Sequence, residues 1–244
     1  MKLQLLADYP SFLTLDRQYP RKIGNDYLLP QAVQLLIANK KLYYTAESGG
    51  LFLFEQRDGY YKLHFRLTDP GSPLQDMDSP LVAYTVYKGK PAKGAAETWL
   101  EQMGFSIRRT RLRYGADTLA LSPSLAGITH ATAEEAFPIY RICFPDWLTA
   151  DLPTSDLFEG AYCLRDNRGE AMAVLSKGQN RHIAVLPQYR GQGLAARLYG
   201  ALKAETQSGK IRVWTDIDNV NANQMYRKFG FLPDGMTAHC YVKE

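Results

Sequence analysis

Gln188-Tyr189-Arg190-Gly191-Gln192-Gly193-Leu194-Ala195 follows the apolar run Ile183-Ala184-Val185-Leu186 and opens a helix-like pattern. Two glycines let a backbone turn tightly and approach a ligand. The N–H groups of a first helical turn then point at whatever anion lies there. The chemistry on offer is anion binding, and a diphosphate suits it. Leu194, Leu198 and Leu202 recur at every fourth position and would bury one helix face against a sheet, with Ser208-Gly209 as the stop.

Gly191, Gly193 and Ala196 also fit the Gly-x-Gly-x-x-Gly/Ala spacing of a dinucleotide-binding turn. Asp216, after Ile211-Arg212-Val213-Trp214-Thr215, stands where the ribose-binding carboxylate would be. Against this, Pro187 to Arg190 separate the apolar run from the first glycine, whereas the dinucleotide turn sets its glycine almost directly after the strand. The residues from Asp216 to Glu244 are also expected to leave no room for the further β-α-β units of a doubly wound sheet. A P-loop is excluded because no Gly-Lys-Ser/Thr follows.

The segment Asn219-Val220-Asn221-Ala222-Asn223-Gln224-Met225-Tyr226-Arg227-Lys228-Phe229-Gly230-Phe231 decides between these readings. Asn219 is a good helix N-cap and Gly230 a good helix end. Between them Asn219, Ala222 and Tyr226 share one face, with Met225 and Phe229 on an adjacent apolar one. Gln/Arg-x-x-Gly-x-Gly/Ala after a strand, then Asn-x-x-Ala-x-x-x-Tyr-x-x-x-Gly-Phe, resembles the GNAT superfamily of acyl-CoA-dependent N-acyltransferases. The two motifs in this order are far more specific than either alone, and the resemblance runs from about Gly127.

The resemblance implies an acetyl-CoA-dependent N-acetyltransferase acting directly on a primary amine of a small molecule, peptide or protein. In this family the fourth and fifth strands splay apart and the pantetheine arm pairs with the fourth. By resemblance, Ile183, Ala184 and Val185 would line that arm through their backbone. Gln188, Arg190, Gly191, Gln192, Gly193, Leu194, Ala195 and Ala196 would cradle the diphosphate. Asn219 would touch the pantetheine end, and Tyr226 would be the general acid, since a phenol with a reference pKa of about 10 stays protonated at neutral pH. The base stays open among Glu159, Glu170, His182, Asp216 and water. Asn219 also serves as a cap, and a Tyr before Gly-Phe also suits ordinary packing. The alternative is a GNAT-fold protein that binds acyl-CoA as a sensor or scaffold without turnover.

The elements that must position these residues read as a mixed α/β sheet flanked by helices and splayed at its centre. Ile128 to Ala131 forms a strand entering a helix at Thr132, with Glu135 completing a capping box. Ala161 to Leu164 and Met172 to Leu175 form a hairpin across Asp166-Asn167-Arg168-Gly169. His182 to Leu186 is expected as the central strand, Ile211 to Thr215 as its parallel neighbour, and Ala238 to Val242 as the last strand.

The N-terminal half carries a faint copy of this plan. Ala96 to Phe105 aligns with Ala222 to Phe231 at an offset of 126 residues. Leu81 to Tyr87 occupies the parallel-neighbour position, and Leu51 to Glu55 with Tyr60 to Leu67 flank Arg57-Asp58-Gly59 as a hairpin. The expectation is two GNAT-like domains in tandem: 1–126 degenerate or accessory, without a cofactor motif, and 127–244 binding acetyl-CoA and catalytic. Thr68 to Pro80 replaces the glycine turn, and Pro70, Pro73 and Pro80 deny it a continuous helix. Leu100 stands where the second copy has Tyr226, and Lys93 where it has Asn219.

A net charge of +4 is too mild to argue for nucleic acid. Arg109, Arg111 and Arg113 share one face of a strand opposite Thr110, Leu112 and Tyr114, first as a solvated face and otherwise as a contact for an acidic substrate or partner. Tyr43, Tyr44, Phe52, Phe54, Tyr60, Tyr61 and Phe65 read as sheet core. Cys143, Cys163 and Cys240 are too few and too scattered for a disulfide framework or a zinc site, so no metal is expected. No run suits a membrane span or signal peptide. A cytoplasmic monomer or homodimer is expected.

Overall fold

A computed structural model of the protein describes every residue except 1–2, 21–22, 26–27, 48, 90–93, 151, 153–157, 178–181 and 206–210. Lys93 and the Ser208-Gly209 stop lie outside the described residues. Two compact bodies make up the chain, one of 1–110 with 237–244 and one of 111–236.

The first body holds β1 (Gln4–Leu5), α1 (Tyr9–Gln18), β2 (Ile23–Gly24), α2 (Pro30–Ala38), β3 (Leu42–Glu47), β4 (Gly50–Arg57), β5 (Tyr60–Leu67), β6 (Leu81–Lys88) and α3 (Ala95–Gln102). β7 (Ser106–Ala116) begins here and continues into the second body. Strands β3, β4 and β5 form an antiparallel meander with β1 on its outer edge. β6 runs parallel to β5 in the register Tyr61↔Leu81 to Leu63↔Ala83. Alternation along β4 sends Phe52 and Phe54 to the face covered by α3, where Phe65, Trp99 and Leu100 complete a buried core. Tyr60 is buried, while Tyr43, Tyr44 and Tyr61 are half-buried. The segment 68–80 is not helical, as its prolines require. It is tied down instead by Trp99 Nε1, which donates to the Ser72 carbonyl at 2.9 Å.

In the second body lie β8 (Thr129–Ala131), α4 (Ala133–Cys143), α5 (Trp147–Ala150), β9 (Ala161–Arg165), β10 (Ala171–Ser176), β11 (Ile183–Val185), α6 (Leu194–Glu205), β12 (Ile211–Asp216) and α7 (Val220–Lys228). The last strand, β13 (Leu232–Lys243), starts in this body, and its residues from Thr237 onward belong to the first. Thr132 N donates to Glu135 Oε2 at 3.0 Å, which fixes the start of α4. In the 165–171 turn, Asp166 Oδ1 accepts from Arg168 N and Glu170 N, at 2.8 and 2.9 Å. Strand alternation divides the packing. Ala161, Cys163, Val174 and Ala184 meet α4, while Tyr162, Leu164, Ala173 and Leu175 join the core built on α6 and α7.

The expected splay falls between β11 and β12. β12 pairs antiparallel with β7, from Ile211↔Ala116 to Asp216↔Arg111, and not with β11. β11, expected as the central strand, is the last strand of a four-stranded sheet of order β11-β10-β9-β8. The backbone bonds of β12 go to β7, and the side of β11 away from β10 has no strand partner among the described residues.

The compact bodies also divide elsewhere than 126/127. Residues 111–116 join the second body through this pairing with β12, and 237–244 join the first. Arg111 and Arg113 are held in ion pairs, Arg111 Nε with Asp216 at 3.1 Å and Arg113 Nε with Asp234 at 2.7 Å, so both are more than a solvated face. The three cysteines are free thiols, two of them buried. Among the described residues no helix is long and apolar enough to cross a membrane, and no cluster of metal-ligating side chains occurs.

Candidate functional site

β11 supplies the first half of the site. Ser176 N donates to His182 O and Leu186 N to Met172 O, each at 3.0 Å, so alternate residues 182, 184 and 186 turn their backbone groups toward β10. Ile183 and Val185 turn theirs to the open side. Ala184 is thus spent within the sheet, and the sequence-based grouping of all three as backbone contacts narrows to Ile183 and Val185. The Val185 carbonyl is already covered, accepting from Arg190 Nε at 3.1 Å and from Cys143 Sγ at 3.4 Å. Ile183 N–H, Ile183 C=O and Val185 N–H remain on that edge, a row suited to an amide-bearing chain laid along it.

The second half is the turn that leaves this strand. Pro187–Tyr189 makes one tight helical turn, with Tyr189 N bonded to Leu186 O at 2.9 Å, and redirects the chain. Gly191 and Gly193 hold φ of +79° and +75°. A Cβ at either would meet nothing within 4 Å, so both glycines are needed for conformation rather than for space. α6 opens directly after them, with Arg197 N bonded to Gly193 O at 3.2 Å. The N–H groups of Leu194, Ala195 and Ala196 have no acceptor within the helix by construction. No acidic residue lies in that first turn to oppose the positive end of the helix dipole. Gln188, Arg190 and Gln192 are exposed beside it. Leu194, Leu198 and Leu202 are buried, as their spacing predicts, and anchor the helix that presents these donors.

α7 brings the third group. Asn219 Oδ1 accepts from Ala222 N at 3.0 Å, the expected N-cap, with the residue itself exposed. Tyr226 is 4% exposed, inside an aromatic cluster with Tyr114, Tyr199 and Phe231 at ring separations of 5.9, 6.1 and 5.5 Å. Burial pushes its phenol above the usual tyrosine range, so it stays protonated to higher pH than a free tyrosine. Sequence reasoning missed Asn223. Its Nδ2 donates to the carbonyls of Asp216, Ile217 and Asn219 at 3.1, 3.2 and 2.8 Å, bracing the loop that carries Asn219. Its Oδ1 is buried and has no partner in the structure, a free acceptor at the start of α7. An Asn four residues into a helix that opens on Asn was the available signal.

The four side chains considered as a base lie in different settings. Glu159 and Glu170 are exposed. Asp216 is engaged with Arg111. His182 bonds through Nε2 to the Ala150 carbonyl at 2.9 Å and sits edge-on to Tyr140 and Phe144. Cys143, a residue of no expected role, lies beside the open edge, and burial raises its thiol despite the neighbouring Arg190.

The arrangement joins an open strand edge, a glycine turn at a helix N-terminus and a buried phenol, and the segment that carries it is similar to known proteins. The family model for the acetyltransferase (GNAT) domain matches residues 158–233. A Bacillus subtilis protein provisionally named a ribosomal protein bS18-alanine N-acetyltransferase is 31% identical over 72 residues, 28% of this chain and 48% of that one. The chain thus spans about half the length of that relative. Among solved structures, a GCN5-related N-acetyltransferase from Kribbella flavida superposes with a TM-score of 0.53 at 19% identity, over 86% of this chain and 92% of its own. A tandem GNAT protein from the clavulanic acid biosynthesis pathway gives 0.50 at 14%, over 83% and 82%. These two establish likeness of fold. The domain match spans the strand edge, the glycine turn and α7, so residues 158–233 carry the likeness to the acetyltransferase (GNAT) domain.

Proposed function

We propose that the second body binds acetyl-CoA and transfers its acetyl group to a primary amine of a small molecule, peptide or protein. The observation that carries this is the continuity of the open β11 edge with the Gly191–Gly193 turn and the N-terminus of α6. A diphosphate at the turn would meet the N–H groups of Leu194 to Ala196, with Arg190 beside them. An arm running back along the strand would find Ile183 and Val185. Bound there, the acetyl thioester supplies the acyl group. The amine nitrogen forms a bond to the acyl carbon as the carbon–sulfur bond breaks. Tyr226 gives its proton to the departing sulfur, and water takes the proton lost from nitrogen.

The engagement of Asp216 with Arg111 and of His182 with the Ala150 carbonyl also favours a second reading, a GNAT-fold protein that binds acyl-CoA as a sensor or scaffold. Calorimetric titration with acetyl-CoA, CoA and NAD tests the ligand, and a response to NAD alone defeats both readings. Release of free thiol across a panel of amines, including peptides with an N-terminal alanine, then separates them. Turnover supports the transferase, while tight binding with no thiol release supports the sensor. The peptide arm is motivated by the relative named for alanine acetylation.

We read the first body as a degenerate copy that does not share the site. Its antiparallel meander β3-β4-β5 matches the run β9-β10-β11, but 68–80 offers no glycine turn or helix N-terminus.

A further inference from the structure

β5 ends the antiparallel run β3-β4-β5 in the first body as β11 ends β9-β10-β11 in the second. The pairing of β5 with β6 stops at Leu63↔Ala83. Beyond it the outer edge of β5 is not open. β2 lies on it in the register Ile23↔Leu67 and Gly24↔Arg66. Asn25 then completes the row. Its backbone N–H donates to Phe65 O at 3.2 Å, its Nδ2 donates to Leu63 O at 3.0 Å, and its Oδ1 accepts from Phe65 N at 2.8 Å. The carboxamide thus acts as a peptide unit, giving and receiving one bond each on the strand. At 2% exposure Asn25 is sealed in place.

We infer that Ile23–Asn25 is a built-in occupant of the slot in the first body, a stretch of the chain held where an acyl-CoA arm would pair, so that this body takes no acyl-CoA. The inference rests on the reading that acyl-CoA pairs with the open edge of β11. The contrast between the bodies is chemical. On β11, Ile183 and the Val185 N–H await partners, whereas on β5 the Asn25 carboxamide satisfies Leu63 C=O and Phe65 N–H, and the Asn25 backbone N–H satisfies Phe65 C=O. A competing arm would have to break these bonds and leave the Asn25 amide buried without partners. The lack of a glycine turn after β5 removes the other half of any such site.

The test uses the full chain, titrated with acetyl-CoA and with CoA, as wild type and as Gly193→Asp, which sets a carboxylate in the anion turn of the second body. Amide hydrogen exchange over 63–67 is followed with and without ligand. One equivalent bound by wild type, none by Gly193→Asp, and no ligand effect at 63–67 support the inference. No binding by wild type defeats the acetyl-CoA reading yet still supports a closed first body. A second equivalent, or binding that survives Gly193→Asp with altered exchange at 63–67, overturns it. Asn25→Ala should speed exchange of the Phe65 amide at least tenfold while leaving Val213 unchanged, and Asn25→Asp, which keeps the acceptor for Phe65 N–H, should speed it less. A Phe65 amide that exchanges freely in wild type also overturns the inference.

Discussion

Arg190 reaches back from the glycine turn, its Nε donating to the Val185 carbonyl at 3.1 Å, so the turn and the open strand edge are fastened by one guanidinium. The same contact removes one acceptor from the edge and leaves the rest of the guanidinium beside the turn. Arg190→Ala should therefore weaken ligand binding twice over, by loosening the turn and by removing a cation. Hydrogen bonds to charged groups are worth about 1.5–3 kcal/mol, which corresponds to a rise of about 10–100-fold in KM for acetyl-CoA. With kcat held within about threefold, steady-state kinetics would confirm a binding role. A change confined to kcat would count against it.

The glycines of the turn offer a sharper test because their surroundings are open. A Cβ at Gly191 or Gly193 meets nothing within 4 Å, so any cost of Gly→Ala comes from left-handed φ alone. That cost is about 1–2 kcal/mol for each residue, or a fall in Tm of about 2–8 °C for a domain of this size. Gly191→Asn should cost less than Gly191→Val, because Asn tolerates this region and a β-branched residue does not. Thermal melts of the three variants check the order. Equal melting for Asn and Val would mean that the turn relaxes.

Much of this site was legible because its signals are local. A glycine pair before a leucine-spaced helix and an N-cap Asn seven residues before Tyr226 each lie within one turn of chain and its immediate neighbours. Pairing over distance was not legible. β2 is two residues long and carries no alternation to read, and its partner Asn25 bonds a strand 40 residues away. The open side of β11 was expected only through the family resemblance, in which the fourth and fifth strands splay apart, and not from its own residues. The apolar run 183–186 suits a buried central strand as well as one whose open side awaits a ligand, and only the pairing of β12 with β7 distinguishes them. The departure of 237–244 to the first body is likewise invisible, since a strand pattern does not say which sheet receives it.

Tyr226 sits in the aromatic core and is proposed as the acid, and these roles give different outcomes for Tyr226→Phe. The ring packing against Tyr114, Tyr199 and Phe231 survives the change, so Tm should move little. Loss of a general acid lowers kcat by about 100–10,000-fold. Because burial raises the phenol above its usual range, the protonated acid persists as pH climbs. The rate of the wild type should therefore show no fall due to Tyr226 until above about pH 10. Stopped thiol-release assays from pH 7 to 10 check both points. An unchanged kcat in Tyr226→Phe would assign the residue to packing alone.

The first body carries a charge cluster whose effect is on stability rather than chemistry. Glu55 is 3% exposed, between Arg57 and His64, with His64 Nε2 at 3.2 Å from its carboxylate and the Arg57 guanidinium in direct contact. Burial alone would raise its pKa, but Arg57, His64 and Lys62 outweigh burial and hold it well below the usual carboxylate range. A carboxylate whose pKa is depressed on folding contributes stability that is present above its unfolded value, about 4.3, and lost as pH falls toward the folded value. Denaturant unfolding of wild type should therefore weaken progressively below about pH 5. Glu55→Gln should destabilise the first body at pH 7 by about 3–5 kcal/mol, because it breaks the buried ion pair of Glu55 with Arg57. The same variant should lose less stability than wild type between pH 5 and pH 3. Parallel acid dependence in the two proteins would show that other carboxylates govern the transition.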